Sequence, residues 1–267
     1  MSHAIIIPIY CENRNTINLC NELQNFGAEH IVVVNDGLNP KSEYFNELTS
    51  IGCHLVHLKN NNGKGASLKA GIKYAHDNLY NITGYITCDA DGQHTANDVM
   101  KISRMLDLRN GSLILGKRDY KKSKMPINIR IGNRLSSAYF KVITGKSCKD
   151  TQTGLRGIPA FLYDTVMKTK GSRFDFEMNF LTKCADMRVP FYFVNIIADC
   201  SNCSSNFRLI KDTYLIYRTP LRFATASIGC TIIDLVLFTI FAYILPSHMF
   251  FNLSLIHISE PTRRRGI

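Results

Sequence analysis

The chain lacks the patterns that would mark several common classes of protein. Its nine cysteines stand at 11, 20, 53, 88, 148, 184, 200, 203 and 230, an odd number, mostly inside apolar runs. Buried free thiols have this distribution, and it implies a reducing compartment rather than a disulfide framework. Cys200 and Cys203 form one C-x-x-C, but no second pair and no histidine at ligand spacing follows, so zinc is not indicated. The eight histidines show no ligand spacing and read as structural, apart from His94, which adjoins an acidic loop. G-x-G-x-x-G is missing, which argues against a dinucleotide cofactor, and so is G-x-x-x-x-G-K-S/T, which excludes a P-loop. The start, M-S-H-A-I-I-I-P-I-Y, has no basic region, and Pro8 interrupts its short apolar run; it reads as a buried strand and not as a signal peptide. The basic residues are not interleaved with aromatics, and no nucleic-acid recognition motif appears.

What is present is a chain of 267 residues with 45% hydrophobic residues and a net charge of +11. That length accommodates one large α/β domain and a short appendage. The charge implies an anionic partner, and composition alone leaves nucleic acid, an acidic lipid surface and phosphorylated substrates open.

The first half alternates two periodicities. Ala4–Ile9, Ile31–Val34, Cys53–Leu58, Tyr85–Cys88 and Leu113–Leu115 are apolar or β-branched runs, as strands covered on both faces would be. Residues 15–26 and Lys64–Leu79 carry helical spacing between them. A β-α-β-α-β order predicts a mostly parallel sheet with helices on both faces, and ligands in such sheets bind beyond the carboxyl ends of the strands. The polar clusters Tyr10–Arg14, Asn35–Gly37, Asn60–Gly65 and Asp89–His94 all follow strands, so they are expected to converge. Further on, residues 117–134 are rich in Lys and Arg, Asp150–Gly157 is a polar glycine-containing segment, Phe174–Ala185 reads as a helix and Phe191–Ile197 as a strand.

From Phe223 to Leu245 the chain is apolar with one charge, Asp234, which is long enough for a membrane span. Arg208, Lys211, Arg218 and Arg222 precede it, which places that end and the catalytic domain on the cytoplasmic side. Residues 206–222 form an amphipathic juxtamembrane segment in this reading, and Asp234 implies a polar partner or a pathway within the span. A second apolar run from Met249 stops at S-E-P-T-R-R-R-G-I, as if a membrane domain had been cut and finished by a foreign tail. The expected division is 1–205, 206–222, 223–253 and 254–267.

The sharpest chemical signal is Asp89-Ala90-Asp91-Gly92-Gln93-His94. Two carboxylates one residue apart at a strand end can hold a hard divalent cation and leave positions for a diphosphate, although a bare D-x-D also reads as a solvated turn. Asn60-Asn61-Asn62-Gly63-Lys64-Gly65-Ala66 opens a helix. Its glycines permit close backbone approach, the helix start favours an anion, and Lys64 adds a point charge for phosphate. Arg130 and Arg134, at i and i+4, share a helix face suited to one anionic group or simply to solvent.

The ordered set I-P-I-Y-C-E-N, V-V-N-D-G, N-N-G-K-G-A, D-A-D-G-Q-H, Arg118 to Arg134 and D-T-Q-T-G-L-R-G resembles glycosyltransferase family 2 over about residues 4–220. Within that family it is most similar to dolichol-phosphate mannosyltransferases and bacterial polyprenyl-phosphate glycosyltransferases, and the part from Leu221 resembles the start of a GtrA-type membrane domain. The resemblance implies a Rossmann-like GT-A fold followed by an interfacial helix and a transmembrane segment. It implies that Pro8, Tyr10, Glu12, Asp36, Lys64, Asp89 and Ala90 hold the donor, with Asp36 accepting from the base. Asp89, Asp91 and Gln93 would ligate Mg²⁺ or Mn²⁺. Arg118, Arg130, Arg134, Gln152, Arg156 and Arg208 would serve the acceptor phosphate, and Asp91, Asp150 and Glu177 would act in catalysis. The family's D-D-G-S appears here as Asn35-Asp36-Gly37-Leu38.

The expected reaction is inverting transfer of a hexose from a UDP- or GDP-sugar to a polyprenyl phosphate at the cytoplasmic membrane face. Family 2 transfer to a hydroxyl of a glycan or protein is the alternative, with Asp150 or Glu177 as base. No nucleic-acid partner is expected, and a homo-oligomer is left open.

Overall fold

Continuous β-branched runs build the centre of the molecule. The computed structural model describes residues 2–118, 127–173, 175–197, 229–240 and 243. The chain separates into two units, Met1–Asp212 and Thr213–Ile267. The first holds seven strands: β1 (Ser2–Ile9), β2 (His30–Asp36), β3 (His54–Leu58), β4 (Ile82–Thr87), β5 (Leu113–Arg118), β6 (Arg156–Pro159) and β7 (Phe191–Ile196). Among them run α1 (Arg14–Asn25), α2 (Glu43–Ile51), α3 (Lys64–Asn78), α4 (Ala96–Leu108), α5 (Ile127–Thr144), α6 (Tyr163–Lys168) and α7 (Asp175–Asp186).

The strands lie in the order β3-β2-β1-β4-β6-β5-β7. All neighbours are parallel except β6, which is antiparallel to both β4 and β5. This is the mostly parallel, helix-covered sheet that the alternating periodicities predict. The polar segment 150–157 ends inside the sheet, because Arg156 and Gly157 open β6. Gly157 fits there because β6 passes tightly between its neighbours, and an added Cβ would lie 2.9 Å from Ile102 and 3.2 Å from Ile114. The fifth strand also runs farther than the apolar Leu113–Leu115, and Arg118 is its last residue.

Two apolar layers sandwich the sheet. Alternation along β1 sends Ile5, Ile7 and Ile9 into one, with Ile17, Leu23, Phe45 and Ile102, and Ala4 and Ile6 into the other, with Leu68, Ile72, Phe140 and Leu181. Helix starts are capped locally: Asn13 accepts from Asn15 N–H, Ser42 from Tyr44 N–H, and Thr95 from Asp98 N–H. Gly71 lets α3 lie directly on the sheet, since a Cβ there would come within 2.5 Å of Ile6 and 2.7 Å of Val34.

In the second unit residues 229–240 are helical, with Ile232, Ile233, Leu235, Val236, Leu237 and Phe238 all exposed. Among the described residues no helix is long and apolar enough to cross a membrane. The remainder of the expected span 223–245, the juxtamembrane segment 206–222, Cys200 with Cys203, and the tail 254–267 lie outside the described residues.

Candidate active site

β1 and β4 part company before β1 ends. Their pairing reaches Ile6 and Thr87, and Cys88 N–H still donates to the Ile6 carbonyl at 3.0 Å. Beyond that, β1 continues with β2 alone as far as Ile9 and Asn35. Pro8, which has no N–H to give, falls in this released stretch. The strand order reverses across β1, so the crevice between β1 and β4 is the position where open α/β sheets take ligands. Tyr10 and Glu12 leave β1 exposed at its rim.

On the β2–β3 side the loop Asn60–Gly63 is tied to β2. Asp36 accepts from Asn62 N–H at 2.8 Å with one oxygen and from Gly63 N–H at 2.9 Å with the other. The carboxylate expected to face a base is thus engaged by the loop that opens α3. Asn35, standing where the family pattern has an acid, clamps the turn: its amide donates to Leu38 O at 2.9 Å and its carbonyl accepts from Leu38 N–H at 2.7 Å. Gly37, with φ +91°, meets the loop so closely that a Cβ would lie 2.6 Å from Asn61 N. Gly65 allows α7 the same approach, with Phe176 only 2.5 Å from where a Cβ would stand.

These approaches bring two acids onto one ammonium. Lys64 Nζ lies 2.6 Å from Asp89 Oδ1 and 3.1 Å from Glu177 Oε1. Burial works to discharge Lys64, but Asp89 and Glu177 outweigh it and hold its pKa above the usual ammonium range. Burial alone would raise Asp89, yet Lys64 foremost draws it below the usual carboxylate range. Asp91 is pushed the other way, first by burial and then by the charge of Asp89. Gln93 sits on Asp91, its backbone N–H donating at 3.1 Å and its side-chain amide also donating to the carboxylate. His94 is buried behind the loop, 3.9 Å from Asp89, and burial lowers it to about 4.

The arginines divide into two groups. Arg118 is buried and grips Asp150 at two points, Nε to Oδ2 at 2.7 Å and Nη2 to Oδ1 at 2.8 Å, and Asp150 has no exposed surface. Arg156, also buried, donates to the main-chain carbonyls of Thr153, Glu177 and Thr151 at 2.9, 2.9 and 3.1 Å. As placed, both organise the 150–156 loop from behind and do not present their charge to solvent. Arg134 is exposed on α5, Arg130 stands one turn earlier and partly buried, and Gln152 is partly buried. Arg208 lies outside the described residues.

Several residues that hold this site were not singled out by the sequence. Thr16, on the first turn of α1 and fully buried, donates to Ala90 O at 3.0 Å, and so fixes the acidic loop from the far side of the crevice. Thr87 donates to Gly154 O at 2.7 Å. Gly154 packs against Asp89 so tightly that a Cβ would fall 2.1 Å from Oδ2. No local signal marks these positions, because the need for a hydroxyl or a missing side chain arises only from segments distant in sequence.

Residues 4–164 match the family model for Glycosyl transferase family 2. The chain belongs to glycosyl transferase family 2. Among curated relatives of this glycosyltransferase, an uncharacterized protein of Methanocaldococcus jannaschii is 32% identical over 188 residues, covering 66% of this chain and 73% of that protein. The UDP-N-acetylglucosamine–dolichyl-phosphate N-acetylglucosaminyltransferase of Methanococcus voltae is 29% identical over 172 residues, covering 57% and 67%. Among solved structures, glucosyl-3-phosphoglycerate synthase from Mycobacterium tuberculosis in complex with UDP superposes with a TM-score of 0.63 at 12% identity, covering 83% of this chain and 79% of that one. The same score, identity and coverage hold for its complex with Mn²⁺, UDP-glucose and glycerol 3-phosphate. At that identity the likeness establishes the fold of this glycosyltransferase, GT-A.

Whether the site suits a divalent cation is a question of donor chemistry. Among the described residues no group of three or more His, Cys, Asp or Glu side chains is assembled for a metal. Asp89 and Asp91 nevertheless supply hard oxygen donors, Asp91 is raised by burial and then by the charge of Asp89, and Gly154 leaves the space in which Asp89 lies. A site with two protein carboxylates suits Mg²⁺ or Mn²⁺ that completes its shell with water and substrate phosphates. The residues fit such an ion.

Proposed function

We propose that this glycosyltransferase moves a hexose, with inversion, from a UDP- or GDP-sugar to a polyprenyl phosphate at the cytoplasmic face of a membrane, with Mg²⁺ or Mn²⁺ bound. The observation that carries this reading is the state of its acids. A hydroxyl acceptor requires a base to take its proton. Of the two acids the sequence offers, Asp150 is buried in a two-point pair with Arg118, and Glu177 is buried against Lys64. A phosphate monoester has a second pKa of about 6 and arrives already anionic, so it needs no such base. The task left to the protein is to hold two anionic substrates together.

Asp89, Asp91 and Gln93 would hold the cation, which when bound supplies charge neutralisation at the leaving diphosphate. Lys64, at the first turn of α3, would face the same diphosphate in this reading. Arg130 and Arg134 stand on α5, whose inner side is joined to the 150–156 loop by Thr151 donating to Ser136 Oγ at 2.9 Å. The outer side of α5 supports a lipid acceptor. Ile131, Leu135 and Val142 recur on one face and are 52%, 60% and 84% exposed, while Asn133, Ser136 and Phe140 on the opposite face are buried. Arg134 and Lys141 flank that apolar stripe, which is the composition of a helix lying at a membrane surface. The apolar run 223–245, the charges before it and the Methanococcus voltae relative, a dolichyl-phosphate N-acetylglucosaminyltransferase by name, point the same way.

The test is transfer of radiolabelled sugar from a panel of UDP- and GDP-sugars to polyprenyl phosphate, with Mn²⁺, with Mg²⁺ and with chelator. Label in a lipid extract that depends on the metal is the expected result. Label confined to a hydroxyl acceptor would overturn the lipid-phosphate reading. Asp91→Ala should lower transfer at least a hundredfold, and near-full transfer with metal present would sink the metal-assisted scheme.

A further inference from the structure

We propose that Lys64 is an internal stand-in for the divalent cation: it holds Asp89 until the metal arrives and must then release that carboxylate while staying on Glu177. The inference rests on the reading of Asp89 and Asp91 as metal ligands, and it concerns what occupies Asp89 beforehand. Three carboxylates, Asp89, Asp91 and Glu177, crowd this end of the crevice, and the Lys64 ammonium is within ion-pairing distance of two of them, 2.6 Å from Asp89 and 3.1 Å from Glu177. The Lys64 side chain is only 17% exposed, so water screens these contacts poorly. The arrangement is set by backbone as well as by charge. Gly63 and Gly65 let the start of α3 lie against Ser172, Arg173 and Phe176, and Ala66 N–H donates to Ser172 O at 2.9 Å. That contact fixes Lys64 beside Glu177 of α7 whatever happens at Asp89.

A lysine is suited to this exchange. Its ammonium is a point charge on a flexible stem, so it can leave one carboxylate and keep another by a small rotation, whereas a guanidinium locked at two points, as Arg118 is on Asp150, cannot. Metal binding to the free protein is therefore opposed by the Lys64–Asp89 contact. A metal arriving with a nucleotide diphosphate offers Lys64 a phosphate in place of the carboxylate it gives up. The consequence is a protein that binds the cation weakly alone and strongly with the donor.

The experiment measures Mn²⁺ binding to the full chain by electron paramagnetic resonance, with and without UDP, for wild type, Lys64→Met and the double variant Lys64→Met/Glu177→Gln. The double variant frees Asp89 of its ammonium while keeping the local net charge of wild type, so it separates release of Asp89 from a general change of field. Without UDP, both variants should bind Mn²⁺ about tenfold or more tightly than wild type, and the benefit of UDP should shrink. Tighter binding by Lys64→Met alone, with the double variant equal to wild type, would mean a field effect and overturn the stand-in. No Mn²⁺ binding to wild type even with UDP would instead remove the metal reading itself. A crystal of wild type soaked in Mn²⁺ gives a readout that needs no variant. Lys64 should be off Asp89 and still on Glu177, and a bound Mn²⁺ with Lys64 unmoved would refute the exchange.

Discussion

Gly154 and Asp91 illustrate two ways a single residue matters to this crevice. Asp91 acts through its own charge. Gly154 acts through the absence of a side chain, since a Cβ would stand 2.1 Å from Asp89 Oδ2. Gly154→Ala should displace Asp89, lower metal-dependent transfer at least tenfold and cost about 1–3 kcal/mol of stability, as overpacking does. Comparing activity with chemical unfolding separates the two effects. The Arg118–Asp150 pair makes the opposite kind of prediction. Arg118→Met strands a carboxylate with no exposed surface, and breaking a buried pair in this way costs about 3–5 kcal/mol. Urea unfolding should register that loss, and Arg118→Met/Asp150→Leu should recover part of it.

At the scale of elements, the helices do more than cover the sheet. α1 reaches across the crevice through Thr16, α3 delivers Lys64, and α5 turns an apolar stripe outward. Leu135→Glu with Val142→Glu should cut binding to anionic vesicles at least tenfold in a flotation assay, because burying each apolar side chain contributes about 1.5–3 kcal/mol. Unchanged flotation would remove α5 from the membrane contact. The start of β1 offers a pH test away from the site. His3 is buried against α4, with its ring 2.8 Å from Ser103 Oγ and 3.4 Å from Asp107, and burial lowers its pKa. The unfolded chain then binds the proton more readily than the folded one. Stability contributed by neutral His3 is complete above 6.5 and is lost as pH falls below it, by at most about 1.4 kcal/mol per pH unit. His3→Asn should flatten that limb in thermal melts taken between neutral and mildly acidic pH.

At the scale of the whole molecule, the charge of +11 and the lipid-phosphate reading belong together. Attraction to an anionic surface falls with ionic strength while apolar burial does not, so vesicle binding should weaken with salt and level off above zero. Complete loss at high salt would mean that charge alone holds the protein there. The mostly parallel sheet, the convergence of four polar clusters at strand ends and the membership of family 2 were all legible from residue order. Periodicity reports burial directly, and a strand end is where such a sheet leaves room. The antiparallel β6 was hidden because Asp150–Gly157 is polar along most of its length, and only its last residues enter the sheet.

Sequence by itself therefore determined six of the seven strands, the acidic loop after β4, the glycine–lysine start of α3 and the family. Each is a local pattern whose physical meaning needs no distant partner. Tertiary structure alone decided which charge meets which. It turned Arg118 and Arg156 onto the 150–156 loop, gave Asp36 to the amides of Asn62 and Gly63, and set Lys64 between Asp89 and Glu177. Ion pairs and close backbone approaches depend on a few ångströms between segments far apart in the chain, and no local pattern of residues encodes that distance.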